Sequence, residues 1–188
     1  MKLILKNLLL KMKIGGIYIN INNKNKKLII IKEILTIISI SIILPLILFK
    51  IYGIADITGK SMENTLEDNE KVIYKKWGAG KGEIVIIKRV DLSVKYLVKR
   101  IIAVEGDALE IKDNELYLNN EIVNEPYIKE KMESTDYNKI TIPTGKVFVM
   151  GDNRNKSIDG RSSTIGLIDV NDIEGKVIFK LPFFNKIQ

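Results

Sequence analysis

The chain has no histidine and no cysteine. Without histidine there is no Ser-His-Asp triad, no H-E-x-x-H zinc site, and no imidazole to move protons near neutral pH. Acid–base chemistry falls to lysine, tyrosine or the carboxylates. Without cysteine there is no thiol nucleophile, disulfide or cysteine-bound zinc. Acidic residues are missing from the first 32 positions, where lysines 2, 6, 11, 13, 24, 26, 27 and 32 contribute +8. The net charge of +7 therefore leaves −1 for everything that follows. A basic leader on a nearly neutral body is a membrane-topology pattern rather than a phosphate footprint, so no nucleic-acid partner is expected.

What is present first is a long apolar run. Leu28 to Phe49 reads LIIIKEILTIISISIILPLILF, roughly 33 Å as a helix and enough to span a bilayer. Lys32 and Glu33 lie near its start, where a lysine can snorkel, and Pro45 is tolerable in a membrane helix. A buried core helix or a cleaved signal are the other readings. The run exceeds a usual signal core, and Lys50-Ile51-Tyr52-Gly53 offers no small-residue cleavage site, which favours an uncleaved anchor. The expected organisation is a basic cytoplasmic segment at 1–27, a transmembrane helix at 28–50, and an extracytoplasmic domain at 51–188. No role is assigned to residues 1–21.

After the anchor, short Ile- and Val-rich runs alternate with turn residues. Strands are expected at Glu83–Arg89, Tyr96–Val104, Ala108–Ile111, Glu115–Leu118, Val147–Met150 and Lys176–Lys180. Asp113-Asn114 and Asn119-Asn120 stand where tight turns are needed. A mostly β domain follows.

Three stretches can carry chemistry. In Thr58-Gly59-Lys60-Ser61-Met62-Glu63-Asn64-Thr65-Leu66, a glycine two residues before a serine allows close backbone approach to a substrate, though many such serines are ordinary loop residues. In Tyr96–Asp107, Lys99 interrupts an apolar strand and shares a face with Leu97 and Ile101. Burial of that face lowers the lysine pKa toward neutrality; the alternative is a stem on the sheet with its ammonium in water. Gly151–Arg161 is dense in Gly, Asn and Asp. Arg154 and Lys156 occupy positions where a calcium loop wants acids, so a polar bracing loop fits better. With no histidine available, the economical arrangement is a Ser61/Lys99 dyad braced by this third stretch.

These residues resemble the type I (bacterial) signal peptidases, membrane-bound Ser/Lys endopeptidases, over nearly all of 54–187. Ser61-Met62-x-x-Thr65-Leu66 looks like the nucleophile box, Gly82-Glu83-Ile84-Val85 like the following strand box, and Lys99-Arg100-Ile101-Ile102 with Gly106-Asp107 like the base box. Gly151-Asp152-Asn153-Arg154 with Ser157, Asp159 and Arg161 is similar to the final box. Leu116–Asn119 and Glu125-Pro126-Tyr127 resemble an inserted β-ribbon. The implied fold is mostly β: one N-terminal transmembrane helix, then a signal-peptidase-like catalytic domain with an inserted β-ribbon subdomain at about 105–145.

The resemblance implies Ser61 as nucleophile and Lys99 as general base, with Ser157 hydrogen-bonding Lys99. It implies a supporting charge network of Asp159, Arg161 and Arg100, and the Ser61 amide as an oxyanion donor. Some relatives carry a serine hydroxyl where Gly59 stands. Ile57, Met62 and Val98 are the candidate pocket walls. The substrate is expected to add as a strand beside Asp56–Lys60 and Leu97–Lys99. The implied partners are secretory preproteins cut after small residues, and the lipid bilayer. A monomer is expected, with no metal and no cofactor. Trp77 and Phe183-Phe184 suit a lipid interface, or are ordinary core or edge aromatics. Departures from the pattern are Asn64 and Glu105 in place of proline, and Asn155, Lys156 and Gly160 in place of Asp, Asn and Ser. They leave room for lower activity. Two other readings are a self-cleaving repressor-type peptidase, disfavoured by the anchor, and an inactive membrane-tethered binding protein.

Overall fold

The structure is a computed structural model that describes residues 12–14, 17–19, 23–89, 96–133 and 135–181. It divides into two units between Phe49 and Lys50. The first holds a short antiparallel pair, β1 (Met12–Ile14) and β2 (Ile17–Ile19), and the helix α1 (Asn23–Ile51). The helix begins five residues ahead of the apolar run, because Asn23–Lys27 contains neither proline nor glycine to stop it. Its 29 residues extend roughly 43 Å. Every side chain from Lys26 to Lys50 is exposed. The hydroxyls of Thr36, Ser39 and Ser41 donate back to the carbonyls of Lys32, Leu35 and Ile37 at 2.8, 2.8 and 2.7 Å. These three hydroxyls are thereby satisfied by the helix's own backbone. It is long and apolar enough to cross a membrane.

The second unit is built from β3 (Tyr52–Asp56), β4 (Lys71–Lys75), β5 (Ile84–Lys88), β6 (Tyr96–Val104) and β7 (Ala108–Lys112). It continues with β8 (Glu115–Leu118), β9 (Glu121–Ile122), β10 (Tyr137–Thr141), β11 (Lys146–Met150), β12 (Ile168–Asp169) and β13 (Ile173–Leu181). Seven of them form one antiparallel sheet in the order β12-β11-β6-β5-β13-β4-β3, and four form a second, β10-β7-β8-β9, inside the 105–145 insert. The fold is mostly β, and all six strands read from the sequence are present. The two asparagine-bearing turns hold Asp113, Asn114, Asn119 and Asn120 at φ 51, 63, 55 and 71°. Two successive positive φ angles are what a two-residue hairpin needs, and Asn and Asp tolerate them best among residues with a Cβ. Trp77 is 62 % exposed; Phe183 and Phe184 lie outside the described residues.

Alternation along β6 and β11 distributes the core. Ile101, Val147 and Val149 join Val85 and Ile87 on one face. Ile102, Ala103, Phe148 and Met150 join Leu109, Ile111 and Leu116 on the other, gluing the insert to the main sheet. Each such buried aliphatic contributes about 1.5–3 kcal/mol. Phe148 pairs with Ala103 but Val149 with Ile101, so Ile102 is an extra residue on β6. That bulge bends β6 just past Lys99 and Arg100, and bulges of this kind re-aim side chains beside sites. β11 pairs with β6 only as far as Met150–Arg100. Among the described residues, Leu97–Lys99 thus carry no strand on that side.

Candidate active site

After β3 the chain makes a closed loop, because Ile57 accepts from the Asn69 amide at 2.9 Å and donates to the Glu70 carbonyl at 2.8 Å. Gly59 sits at φ +90°, where a side chain is strained, and its N–H donates to Asp68 Oδ1 at 2.7 Å. Its amide is thus committed to Asp68. A single turn follows at Ser61–Leu66, closed by Thr65 and Leu66 amides on the Met62 carbonyl. Met62 and Leu66 plug this turn into the core beside Ile57, Val72 and Ile86.

Lys99 lies between Leu97 and Ile101 on β6 and is 4 % exposed. Its Nζ is 2.7 Å from Ser61 Oγ. Burial pushes the Lys99 amine down to about 8; the nearby Asp159 carboxylate pulls it up and the Arg161 guanidinium pushes it further down. Desolvation wins because the attraction and repulsion from that neighbouring pair oppose each other. The result is an amine that loses its proton near neutral pH, in hydrogen-bond contact with a hydroxyl.

The third stretch grips the serine from behind. Asn153 donates its backbone N–H to the Ser61 carbonyl at 3.0 Å and its side-chain amide to the Lys60 carbonyl at 3.0 Å. Gly151 permits this approach, since a Cβ there would overlap both the Ser61 carbonyl and Ser157 Oγ. Its N–H donates to Asp159 Oδ2 at 2.9 Å, and Asp159 is forked by Arg161 at 2.8 and 2.9 Å.

Two expected contacts are made differently. Ser157 Oγ is buried but has no hydrogen-bond partner, so it does not bond Lys99, whose amine is turned to Ser61. Arg100 does not join Asp159 and Arg161. Neighbours on a strand point opposite ways, and Arg100 instead forks Asp152 at 2.8 and 2.5 Å. Asp152 is completely buried and also accepts from the Thr65 hydroxyl at 2.5 Å. With Asp152 bound by Arg100, and Asp159 by Arg161, neither carboxylate is available to a cation.

Asp152, Thr65, Arg154, Glu125 and Tyr127 are further structural partners of the site. For Asp152 and Arg154 the signal is the charge density of Gly-Asp-Asn-Arg directly after an apolar strand, which implies paired rather than hydrated charges; Thr65, Glu125 and Tyr127 carry no such local signal. The departures from the family pattern also acquire contacts. Asn64 holds φ 87°, closed to proline, and donates to the Tyr127 carbonyl at 3.0 Å. Asn155 accepts from the Glu133 amide and donates to the Lys131 carbonyl, both at 3.0 Å, which an aspartate could not do. A Cβ on Gly160 would stand 2.8 Å from the Val149 carbonyl and 3.1 Å from the Phe148 ring. Glu105 accepts from the Gly145 amide at 3.1 Å.

A groove of about 800 Å³ runs past Ser61 and Lys99. Ile57, Met62 and Val98 are all in its wall, together with Tyr74, Ile86, Lys156 and Ile158, which the sequence did not point to.

Comparison with known proteins follows the same outline. The family described as signal peptidase, peptidase S26, matches residues 28–182. Signal peptidase I of Bacillus licheniformis is 35 % identical over 181 residues, covering 89 % of this chain and 95 % of that protein. Signal peptidase IB of Staphylococcus aureus is 36 % identical over 154 residues, covering 70 % and 78 %. A solved signal peptidase I from Enterococcus faecalis is 25 % identical with a TM-score of 0.46, covering 55 % of this chain and 99 % of that one. Since the family match runs unbroken from the apolar helix to the last strand of the main sheet, this chain belongs to the signal peptidases, the S26 family of serine peptidases.

Proposed function

We propose that this chain is a membrane-anchored endopeptidase that removes signal peptides from secretory preproteins by means of a Ser61/Lys99 dyad. The observation that carries the reading is the 2.7 Å contact between the Lys99 amine and the Ser61 hydroxyl at a lysine only 4 % exposed. A hydroxyl becomes a nucleophile when a base within hydrogen-bond reach takes its proton as it attacks. Neutral Lys99 takes that proton, Ser61 Oγ bonds to the scissile carbonyl carbon, and the carbonyl oxygen becomes an oxyanion. The Ser61 N–H, which makes no hydrogen bond among the described residues, is the proposed donor to it. Collapse breaks the peptide bond, and the Lys99 ammonium gives its proton to the leaving amine, the new N-terminus of the mature protein. Lys99, neutral again, then takes a proton from water as the water oxygen bonds to the acyl carbon; the bond to Ser61 Oγ breaks, and the Lys99 ammonium returns the proton to that oxygen.

Specificity follows from the groove. Its walls at Ile57, Met62 and Val98 are apolar, which suits the small uncharged side chains proposed upstream of the cut. The open flank of Leu97–Lys99 suits backbone pairing with an extended substrate. The helix α1, exposed and without a charge from Ile34 to Phe49, suits the bilayer as anchor.

The test uses detergent-solubilised full-length protein and a preprotein bearing small residues before the cut. Wild type is expected to release the mature protein, while Ser61→Ala and Lys99→Ala lower the rate by at least about 10³-fold. Cleavage that survives either substitution rejects the dyad.

A further inference from the structure

We propose that the segment 125–133, which leads from the edge of the insert back to β10, is a positioning clamp that sets the separation of Ser61 from Lys99. The proposal rests on the Ser/Lys reading above and adds residues that do not themselves meet the substrate. One short segment touches each of the three stretches that carry the site.

The bracing loop is held through Glu125. Its carboxylate forks the Arg154 guanidinium at 2.5 and 2.6 Å, with side-chain exposures of 5 % and 0 %. The Tyr127 hydroxyl donates to the same carboxylate at 2.7 Å. Arg154 in turn donates from Nε to the Gly151 carbonyl at 3.1 Å and accepts at its own carbonyl from Arg161 at 2.7 Å. It thereby fixes the loop whose Asn153 amide holds the Ser61 carbonyl. The strand bearing the base is held through Tyr127, whose ring lies under the Arg100 guanidinium at 4.0 Å, one residue from Lys99. The nucleophile turn is held through Asn64, bonded to the Tyr127 carbonyl. The Lys129 amide adds a bond to the Asp152 carbonyl at 3.1 Å.

A buried ion pair such as Arg154–Glu125 is a poor source of net stability, because its desolvation offsets much of its attraction. What it supplies is a fixed fork geometry. Proton transfer between an amine and a hydroxyl is sensitive to that geometry, since a misplacement of about 1 Å can cost 100-fold in rate. The two asparagines that depart from the family pattern, Asn64 and Asn155, both bond this segment, so the clamp is reinforced in this chain.

The experiment compares full-length Asn64→Gly, Glu125→Gln, Tyr127→Leu and Tyr127→Phe with wild type. Asn64→Gly keeps the positive φ and removes the side-chain bonds to the Tyr127 and Ile128 carbonyls, both in the clamp, so it tests the clamp even where Glu125→Gln fails to fold. Two readouts are taken: kcat and KM on a preprotein, and amide hydrogen exchange in peptides covering 58–66 and 96–101. The clamp predicts kcat lower by roughly 10- to 100-fold in Asn64→Gly and Tyr127→Leu, with KM within about 3-fold. Tyr127→Phe, which keeps the ring under Arg100, recovers most of the loss. Exchange rises in both peptides as well as in 123–133. Unchanged kcat in folded variants overturns the proposal, as does faster exchange confined to 123–133. A wild-type protein that cleaves nothing removes the Ser/Lys reading alone, and the exchange data then decide the clamp.

Discussion

Lys99 stands where the pattern of β6 would put an aliphatic residue, and its cost can be worked out. Its folded pKa of about 8 lies below the ordinary lysine value of 10.5. Between those values the unfolded chain binds the extra proton, so stability rises with pH across that window, and the penalty is fully present below about pH 8. Its size is about 3 kcal/mol at neutral pH. Lys99→Met, similar in length and without charge, is expected to abolish cleavage yet raise stability at pH 7 by about 2–3 kcal/mol in denaturant melts, with the gain fading by about pH 10.5. A variant no more stable than wild type at pH 7 would sink this account. The same titration governs rate: only the neutral amine accepts the serine proton, so kcat/KM should climb with pH through an apparent value near 8. A flat profile between about pH 6 and 10 contradicts a lysine base. Lys99 was legible because alternation alone placed it with Leu97 and Ile101. Ion pairs such as Arg100–Asp152 and Arg154–Glu125 were not, because their partners lie 52 and 29 positions apart and local pattern is silent on long-range distance.

Among the elements, the strands with the plainest signal, β5, β6 and β11, are those with runs of buried aliphatic residues. The ones that escaped in the second unit, β3, β4, β9, β10 and β12, lie at or near sheet edges or are only two residues long; β10 reads Tyr-Asn-Lys-Ile-Thr. An edge strand has one neighbour and little to bury, so its sequence is free of the alternation that betrays a central one. The insert was legible through its two asparagine turns, where positive φ restricts the residue choice. Gly160 shows an element imposing a residue. With β11 delivering the Val149 carbonyl and Phe148 ring against it, the serine common at this place in the family has no room. Gly160→Ser is expected to lower stability by about 1–3 kcal/mol by overpacking. Trimming the ring in Gly160→Ser/Phe148→Leu should recover part of that loss relative to Phe148→Leu alone. Additive losses in the double-mutant cycle would show that the two positions do not compete for space.

For the molecule as a whole, charge and hydropathy act together. Eight lysines and no acid occupy the first 32 residues, and the uncharged stretch of the helix, Ile34–Phe49, follows directly. Lysines resist translocation when they flank a span, so the leader is expected to stay cytoplasmic and the β unit to be carried across. That orientation is the one the proposed signal-peptide removal requires, since the cut site of a preprotein emerges on the far side of the membrane. The absence of cysteine makes the topology directly measurable, because any single introduced thiol is unique in the chain. Asn25→Cys marks the leader side without altering its charge, and Glu121→Cys marks an exposed position on β9. A membrane-impermeant maleimide applied to intact cells should label Glu121→Cys and leave Asn25→Cys untouched until the membrane is permeabilised. Labelling of Asn25→Cys in intact cells, with Glu121→Cys protected, would put the β unit in the cytoplasm. The dyad would then stand on the wrong side of the bilayer for signal-peptide removal, however well its geometry suits the reaction.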